Sequence, residues 1–342
     1  MSKFVTFGEI MMRLNPEGYL RFVQAGRFEA SYAGGEANVA VSLANYGLDA
    51  SYVTKLPENP LGESARNQLR QYGVDTRDIV WGGPRLGIYF VEKGASQRAS
   101  KVVYDRAGSS IALAKRADFD WRKILADTTW FHFTGITPAL GGELPDICRD
   151  ALEVCREKGI TVSCDLNYRG KLWSRETAGR VMATLVPYVD ILIANEADAA
   201  DVFGIRAEGT DVDAGALDKA AYVSVAKQLV ERFACKKVAI TLRTSISATD
   251  NKWAGMLYDA ASAKSFFSTE YAVHIVDRVG GGDSFGGGLI YALANDRDDQ
   301  AAIDFAVAAS CLKHSIEFDF NHVSVKEVEA LAAGNASGRV QR

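Results

Sequence analysis

Asp277-Arg278-Val279-Gly280-Gly281-Gly282-Asp283-Ser284-Phe285-Gly286-Gly287-Gly288 follows a run that reads as a strand ending near Val276 and opens a run that reads as a helix. Three consecutive glycines leave the backbone uncovered by side chains. Their N–H groups can converge on an anion, and the start of a helix adds a favourable dipole. Phosphate is the natural occupant. Asp283 is then chemically odd, because a carboxylate repels such a ligand. Its place makes sense if it accepts the proton of a hydroxyl that attacks the phosphate, since phosphoryl transfer needs positioning, charge neutralisation and often such a base. Taken alone, Asp283 also reads as a helix N-cap in a flexible turn.

Other phosphate motifs are excluded. Gly170-Lys171 is followed by Leu172, so no G-x-x-x-x-G-K-[ST] loop occurs. Phe285 stands where a dinucleotide fingerprint needs its third glycine, and the stretch lies late in the chain, not in the first βα unit.

Outward from this turn, short β-rich apolar runs alternate with longer amphipathic ones. Strands are predicted at Lys3–Leu14, Ala50–Thr54, Thr129–Phe133, Ile160–Asp165, Asp190–Ala194 and Lys237–Leu242. Helices are predicted at Gly35–Tyr46 and Gly62–Tyr72, closed by Gly47 and Gly73, and at Glu143–Lys158, Arg175–Val186, Lys219–Phe233, Gly282–Ala294 and Gln300–Ser315. The alternation predicts an α/β fold, a mostly parallel central sheet with helices on both faces. Such sheets bind ligands beyond the carboxyl ends of their strands. Two segments break the pattern, at about 15–33 and 86–108. Leu86–Glu92 and Lys101–Asp105 read as a hairpin, and the two segments together as a small β lid inserted in a single domain spanning 1–342.

Composition agrees with one large globular domain. Of 342 residues, 48% are hydrophobic, enough for a large core, and the net charge is only -4. No basic tract appears, so nucleic acid is not an expected partner. The five cysteines form no C-x-x-C pair and the four histidines no zinc spacing with them, which suits reduced thiols in a cytoplasmic protein. No secretory leader pattern is evident and no apolar run reaches the roughly 18 residues of a membrane span, so no membrane is expected.

Gly280-Gly281-Gly282-Asp283 resembles the G-A-G-D anion hole and base of ribokinase-like (PfkB) carbohydrate kinases. Gly281 replaces the usual alanine, and Asp277-Arg278 stands where Asp-Thr is usual. Gly34-Gly35-Glu36-Ala37-Asn38-Val39-Ala40 is similar to the family's G-G-x-x-x-N-x-A stretch, and Asn59-Pro60-Leu61-Gly62 to its next glycine-bearing loop. The resemblance runs from about Phe4 to about Val328 and implies a ribokinase-like fold, ATP and Mg2+, with a monovalent cation as a further candidate.

Residue by residue, the resemblance assigns the base to Asp283 and the anion hole to Gly280, Gly281 and Gly282. Asn195-Glu196-Ala197-Asp198 is similar to the N-x-x-E motif that orders magnesium, mainly through water, with Asp198 in place of glutamate. Thr241, Arg243 and Ser245 are assigned to the nucleotide, although the loop after Leu242 lacks the family's glycines. Val307 and Ala308 are expected to wall the adenine. Gly34, Gly35, Asn38, Tyr89, Tyr104, Arg106, Ile136, Arg169 and Asp319 are assigned to the sugar. Tyr104 and Arg106 share one face of a lid strand. Two arginines, Arg106 and Arg169, suit an acid better than a neutral sugar. Tyr89, Tyr104-Asp105-Arg106, Asp165-Leu166-Asn167-Tyr168-Arg169 and Leu172-Trp173 look most like 2-keto-3-deoxygluconate kinases. The D-x-N-x-R run is shared with fructokinase-like members, so a neutral sugar stays open, as does a non-catalytic sensor of nucleotide or sugar. A homo-oligomer formed through the lid is also expected.

Overall fold

The computed structural model describes residues 3–195, 197–206 and 219–335. Its main sheet runs, in spatial order, Lys264–Phe267, Asp250–Asp259, Lys237–Ser245, Ile191–Asn195, Thr161–Asp165, Thr128–Thr134, Lys3–Phe7 and Asp49–Val53, with Tyr271–His274 also pairing Asp250–Asp259. The six strands from Lys237–Ser245 to Asp49–Val53 are parallel, and the three at the far edge are antiparallel. Tyr271–His274 answers to the strand read as ending near Val276, whereas Asp250–Asp259 and Lys264–Phe267 escape the sequence reading. Asp250–Asp259 is buried on both faces over most of its length, so it has no alternation to betray it.

Helices cover both faces. Leu144–Lys158 presents Leu144, Ile147, Cys148, Ala151, Leu152 and Cys155 to one core, the spacing of a helix with one apolar face, and ends at Gly159 in the left-handed region. Arg175–Leu185 and Lys219–Phe233 pack on the same side. On the other side lie Gly35–Asn45, Gly281–Ala294 and Asp299–Lys313. Asn59, Ser174 and Asp298 cap the helices that follow them through their side-chain oxygens. No helix among the described residues is long and apolar enough to cross a membrane. All five cysteines are free thiols.

The predicted strand Lys3–Leu14 is two strands in two sheets. Lys3–Phe7 belongs to the main sheet and Met11–Asn15 to a separate four-stranded sheet ordered Glu29–Ala33, Met11–Asn15, Gly87–Glu92, Lys101–Asp105. The chain crosses at Gly8, where a Cβ would lie 2.1 Å from the Glu36 carboxylate, so only glycine fits. The small sheet thus begins ahead of the predicted lid segment, and Met11–Asn15 is one of its two central strands. Between Asn15 and Glu29 the chain makes only a short 3-10 turn at Phe22–Gln24.

Candidate active site

A cavity of about 450 Å³ opens beyond the carboxyl ends of the parallel strands, where an α/β sheet is expected to hold its ligand. Asp165 and Asn195 reach it from two strand ends, Thr241 from within the strand Lys237–Ser245, Tyr104 from the small sheet, and Gly280, Gly282 and Asp283 from the start of the helix Gly281–Ala294.

The glycine turn is shaped by what it touches. Gly280 adopts φ +83°, and a Cβ there would lie 2.1 Å from the Asp319 carbonyl oxygen. At Gly281 a Cβ would lie 2.6 Å from the His314 ring. This accounts for glycine in place of the family's alanine. Gly282 faces open space. Ser310 Oγ donates to the Gly281 carbonyl at 2.6 Å and fixes the turn from behind. The first N–H groups of a helix have no acceptor within it, so this end presents bare donors.

Asp283 sits three residues into that turn. Asn38 Nδ2 donates to its Oδ2 at 2.6 Å. Burial pushes its carboxyl up to about 7; the Asn38 bond pulls back, Asp319 raises it further, Arg169 lowers it and Glu36 raises it. A carboxylate at that poise can take a hydroxyl proton near neutral pH. Asn38 is therefore spent on the base: its amide oxygen faces the Gly34 N–H at 3.4 Å, and the residue is 2% exposed. Gly35 lies against the other carboxylate oxygen, where a Cβ would sit 3.5 Å from Asp283 Oδ1. Gly34 is extended and packs on the Glu9 carbonyl. Ile136 caps the end of the neighbouring strand, its N–H donating to Thr134 Oγ1 at 3.1 Å.

Beneath them lies Glu36, which the sequence reading passed over. Its Oε1 accepts from Thr134 N, Thr134 Oγ1 and Thr137 Oγ1 at 3.0, 2.8 and 2.6 Å. Burial raises its carboxyl above the usual range, with those donors opposing. It ties the helix carrying Asn38 to the strand ending at Thr134.

On the small sheet, Tyr89 and Tyr104 lie opposite each other in register, with rings stacked 6.1 Å apart. Tyr89 Oη donates to Asp319 Oδ2 at 2.8 Å. The other oxygen of Asp319 accepts from Arg13 at 2.5 Å, and Arg13 also donates to Asp277 at 2.5 Å. Arg13 is fully buried. Asp319, expected beside substrate hydroxyls, thus has both oxygens engaged within the protein. Arg106, expected beside a carboxylate ligand, is buried in an ion pair with Glu9, its Nε 2.7 Å from Oε2, and Ser109 shares that acid. Arg169 is exposed and lines both the cavity and an adjoining groove of about 1000 Å³ walled by Tyr104, Arg106 and Leu172.

Asn195 and Asp198 hold each other. Asn195 Oδ1 accepts from the N–H groups of Ala197 and Asp198, while Asp198 accepts from those of Asn195 and Tyr168. Glu196 lies outside the described residues. No group of three or more acidic, His or Cys side chains that could cage a metal occurs among the described residues. Both carboxylate oxygens of Asp198 already accept backbone donors, yet the residue lines the cavity. That donor set fits a hydrated Mg2+ met through water better than direct ligation. Asp165 faces the same space; burial, then the Asp198 and Asp283 charges, hold its carboxyl well above the usual range.

At the nucleotide end the structure divides the assigned residues. Thr241 and Arg243 line the cavity; Ser245 lies further along the strand, exposed and outside its lining. Val307 and Ala308 are fully buried in the core and form no wall of the cavity. The helix Asp299–Lys313 turns that face toward Gly255, against which Val307 packs. Asn251, Trp253, Arg278 and His314 line the cavity instead. The glycine at 281 answers to the imidazole of His314 packed against it.

Comparison with known proteins agrees with this geometry. Residues 1–315 match the pfkB family carbohydrate kinase model. The chain is 55% identical to a crystal structure of 2-dehydro-3-deoxygluconokinase from Thermotoga maritima, covering 97% of this chain and 98% of that one, with TM-score 0.93. A PfkB family carbohydrate kinase from Listeria grayi is 35% identical, covers 97% and 100%, and has TM-score 0.90. A 2-dehydro-3-deoxygalactonokinase of Haloferax volcanii is 33% identical over 98% of both chains. With the glycine turn, its aspartate and the facing Gly34–Asn38 helix start all in place, this chain belongs to the PfkB family of carbohydrate kinases.

Proposed function

We propose that this protein transfers the terminal phosphoryl group of ATP to the 6-hydroxyl of 2-keto-3-deoxygluconate, with Asp283 as the base. The observation that carries this is the junction of two glycine-opened helix starts, where Asn38 holds Asp283 beside the Gly280–Gly282 turn. The terminal phosphate lies over the turn, and Asp283 takes the proton as the hydroxyl oxygen attacks in line. Asn195 and Asp198 would hold Mg2+ through water, and the ion would neutralise charge on the phosphates. Arg169 faces the sugar carboxylate. Arg106, set by Glu9, closes the groove over it. The small sheet acts as a lid that shuts out water during transfer. Exposed apolar side chains on that sheet and on the turn beside it, Val103 at 51% and Val23 at 90%, support pairing of two copies through it.

The named relatives support a 2-dehydro-3-deoxy sugar acid, but they differ at one carbon, so the galactonate epimer is a second reading. An ADP-release assay separates the possibilities. The gluconate form is expected to give the highest kcat/KM, its galactonate epimer a lower one, and fructose the lowest. Fructose as the better substrate would sink the sugar-acid reading. Product NMR showing phosphate on any other oxygen would sink the 6-hydroxyl.

A further inference from the structure

We infer that Arg278 is a catalytic residue whose guanidinium touches the terminal phosphate and supplies the positive charge that a turn of bare glycines lacks. This rests on the kinase reading above. Arg278 stands where the motif that the glycine turn resembles has threonine.

Arg278 lines the same cavity as Gly280, Gly282 and Asp283. Its Nη2 donates to the Ala248 carbonyl at 2.9 Å, which holds the side chain from behind. Ala248 is itself anchored, its N–H donating to the Ser96 carbonyl at 2.7 Å. The Arg278 Nε is buried and meets no acceptor among the described residues. A guanidinium offers five donors in a rigid fork suited to phosphate, and leaving one buried and unmet is costly unless a ligand answers it.

Its charge is not balanced by its neighbour. Asp277 gives one carboxylate oxygen to Arg13 and the other to the Val279 N–H. Arg243 lines the cavity too. Burial and then the Arg243 charge lower the proton affinity of Arg278, with Asp277 opposing. Two guanidinium groups on one cavity wall suit a multiply charged anion. A nucleotide triphosphate is such an anion; a neutral adenine or sugar is not.

The step this serves is balanced by the groups already described. The hydroxyl oxygen forms a bond to phosphorus, the bond from phosphorus to the bridging oxygen breaks, and its electron pair leaves with ADP. The hydroxyl proton passes to Asp283. Charge shifts onto the equatorial and bridging oxygens, where a fixed guanidinium stabilises the transition state more than the ground state.

Calorimetric titration without sugar tests the contact. AMP-PNP and ADP, each with Mg2+, are bound to wild type, Arg278→Met and Arg278→Lys. Arg278→Met should weaken AMP-PNP by about tenfold or more and leave ADP nearly unchanged, with Arg278→Lys in between. In turnover with 2-keto-3-deoxygluconate, Arg278→Met should lose roughly a hundredfold in kcat, with the KM for the sugar held, and added guanidinium should restore part of it. A structural role predicts equal losses for both nucleotides and no rescue; either outcome overturns the assignment. Wild type binding neither nucleotide would overturn the kinase reading instead. If Arg278→Met does not fold, Arg278→Thr, the residue of that motif, takes its place.

Discussion

The glycine turn and the small sheet approach the same cavity, and they use charge in opposite ways. At the turn, function lies in what is missing: no side chain covers Gly280–Gly282, and a single acid is held at the edge by one amide. On the small sheet, function lies in side chains whose charge is consumed by the protein. Arg13 is divided between Asp277 and Asp319, and Arg106 is committed to Glu9. The turn is chemistry presented outward; the sheet is electrostatics folded inward. A charged residue near a cavity therefore says little until its partner is known.

The largest effect should come from the turn. Asp283→Asn should lower kcat roughly a hundredfold or more while substrate binding persists, the usual size of base catalysis. Near-normal turnover in a steady-state assay would remove the base. In wild type, kcat/KM should rise as pH climbs through about 7, where the carboxyl gives up its proton. The same shift sets a stability effect of defined sign. The folded state holds this proton more tightly than the unfolded chain, so stability is lost as pH rises from the ordinary carboxylate range to about 7. Asp283→Asn should melt a few degrees above wild type at pH values beyond 7. The gain should vanish in acid, where the carboxyl is protonated in both states.

On the sheet side the dominant loss should be in folding. Arg13→Ala leaves Asp277 and Asp319 buried without their cation, a change worth about 3–5 kcal/mol. Urea unfolding followed by circular dichroism measures it. A cost below about 1 kcal/mol would mean that the ion pair is solvated and the contrast between the two regions is false.

Between these extremes lies the contact of Gly281 with His314. Gly281→Ala puts a methyl 2.6 Å from the imidazole and should displace the turn, with roughly tenfold lower kcat. Gly281→Ala combined with His314→Ala should recover most of it, because the two changes share one space and cannot be additive. Losses that simply multiply would show that the ring is not what dictates glycine here.

These contacts also explain what could be read from the chain. The alternation of strands and helices was legible because each helix buries one face, as Leu144–Lys158 does, and closes on a glycine. The turn was legible because backbone chemistry needs glycines in a row. Arg13, Glu36 and Glu9 were not: each is an ordinary charged residue whose role depends on partners far along the chain. Val307 and Ala308 misled for a related reason. An apolar residue on a helix beside a site fits a ligand wall and a core equally well, and only the helix's rotation decides. The antiparallel strand Asp250–Asp259 gave no periodic signal because it is buried on both faces over most of its length.

The smallest expected effect separates the two arginines that sequence alone treats as a pair. Arg169 is exposed and is held by no ion pair among the described residues, so Arg169→Ala should leave the melting temperature unchanged. A charge-assisted bond to a carboxylate, weakened by solvent, should then cost several-fold in KM for a 2-keto-3-deoxy sugar acid. The KM for ATP should stay within twofold or so, because the nucleotide end of the cavity is built from Thr241, Arg243 and the turn. Arg106→Ala must behave differently, since it strips Glu9 of its buried cation and should lower the melting temperature as well. If Arg169→Ala raised both Michaelis constants equally, Arg169 would belong to the phosphate and not to the sugar. The carboxylate would then have to be met from the sheet side, by the Arg106 fork that Glu9 already holds.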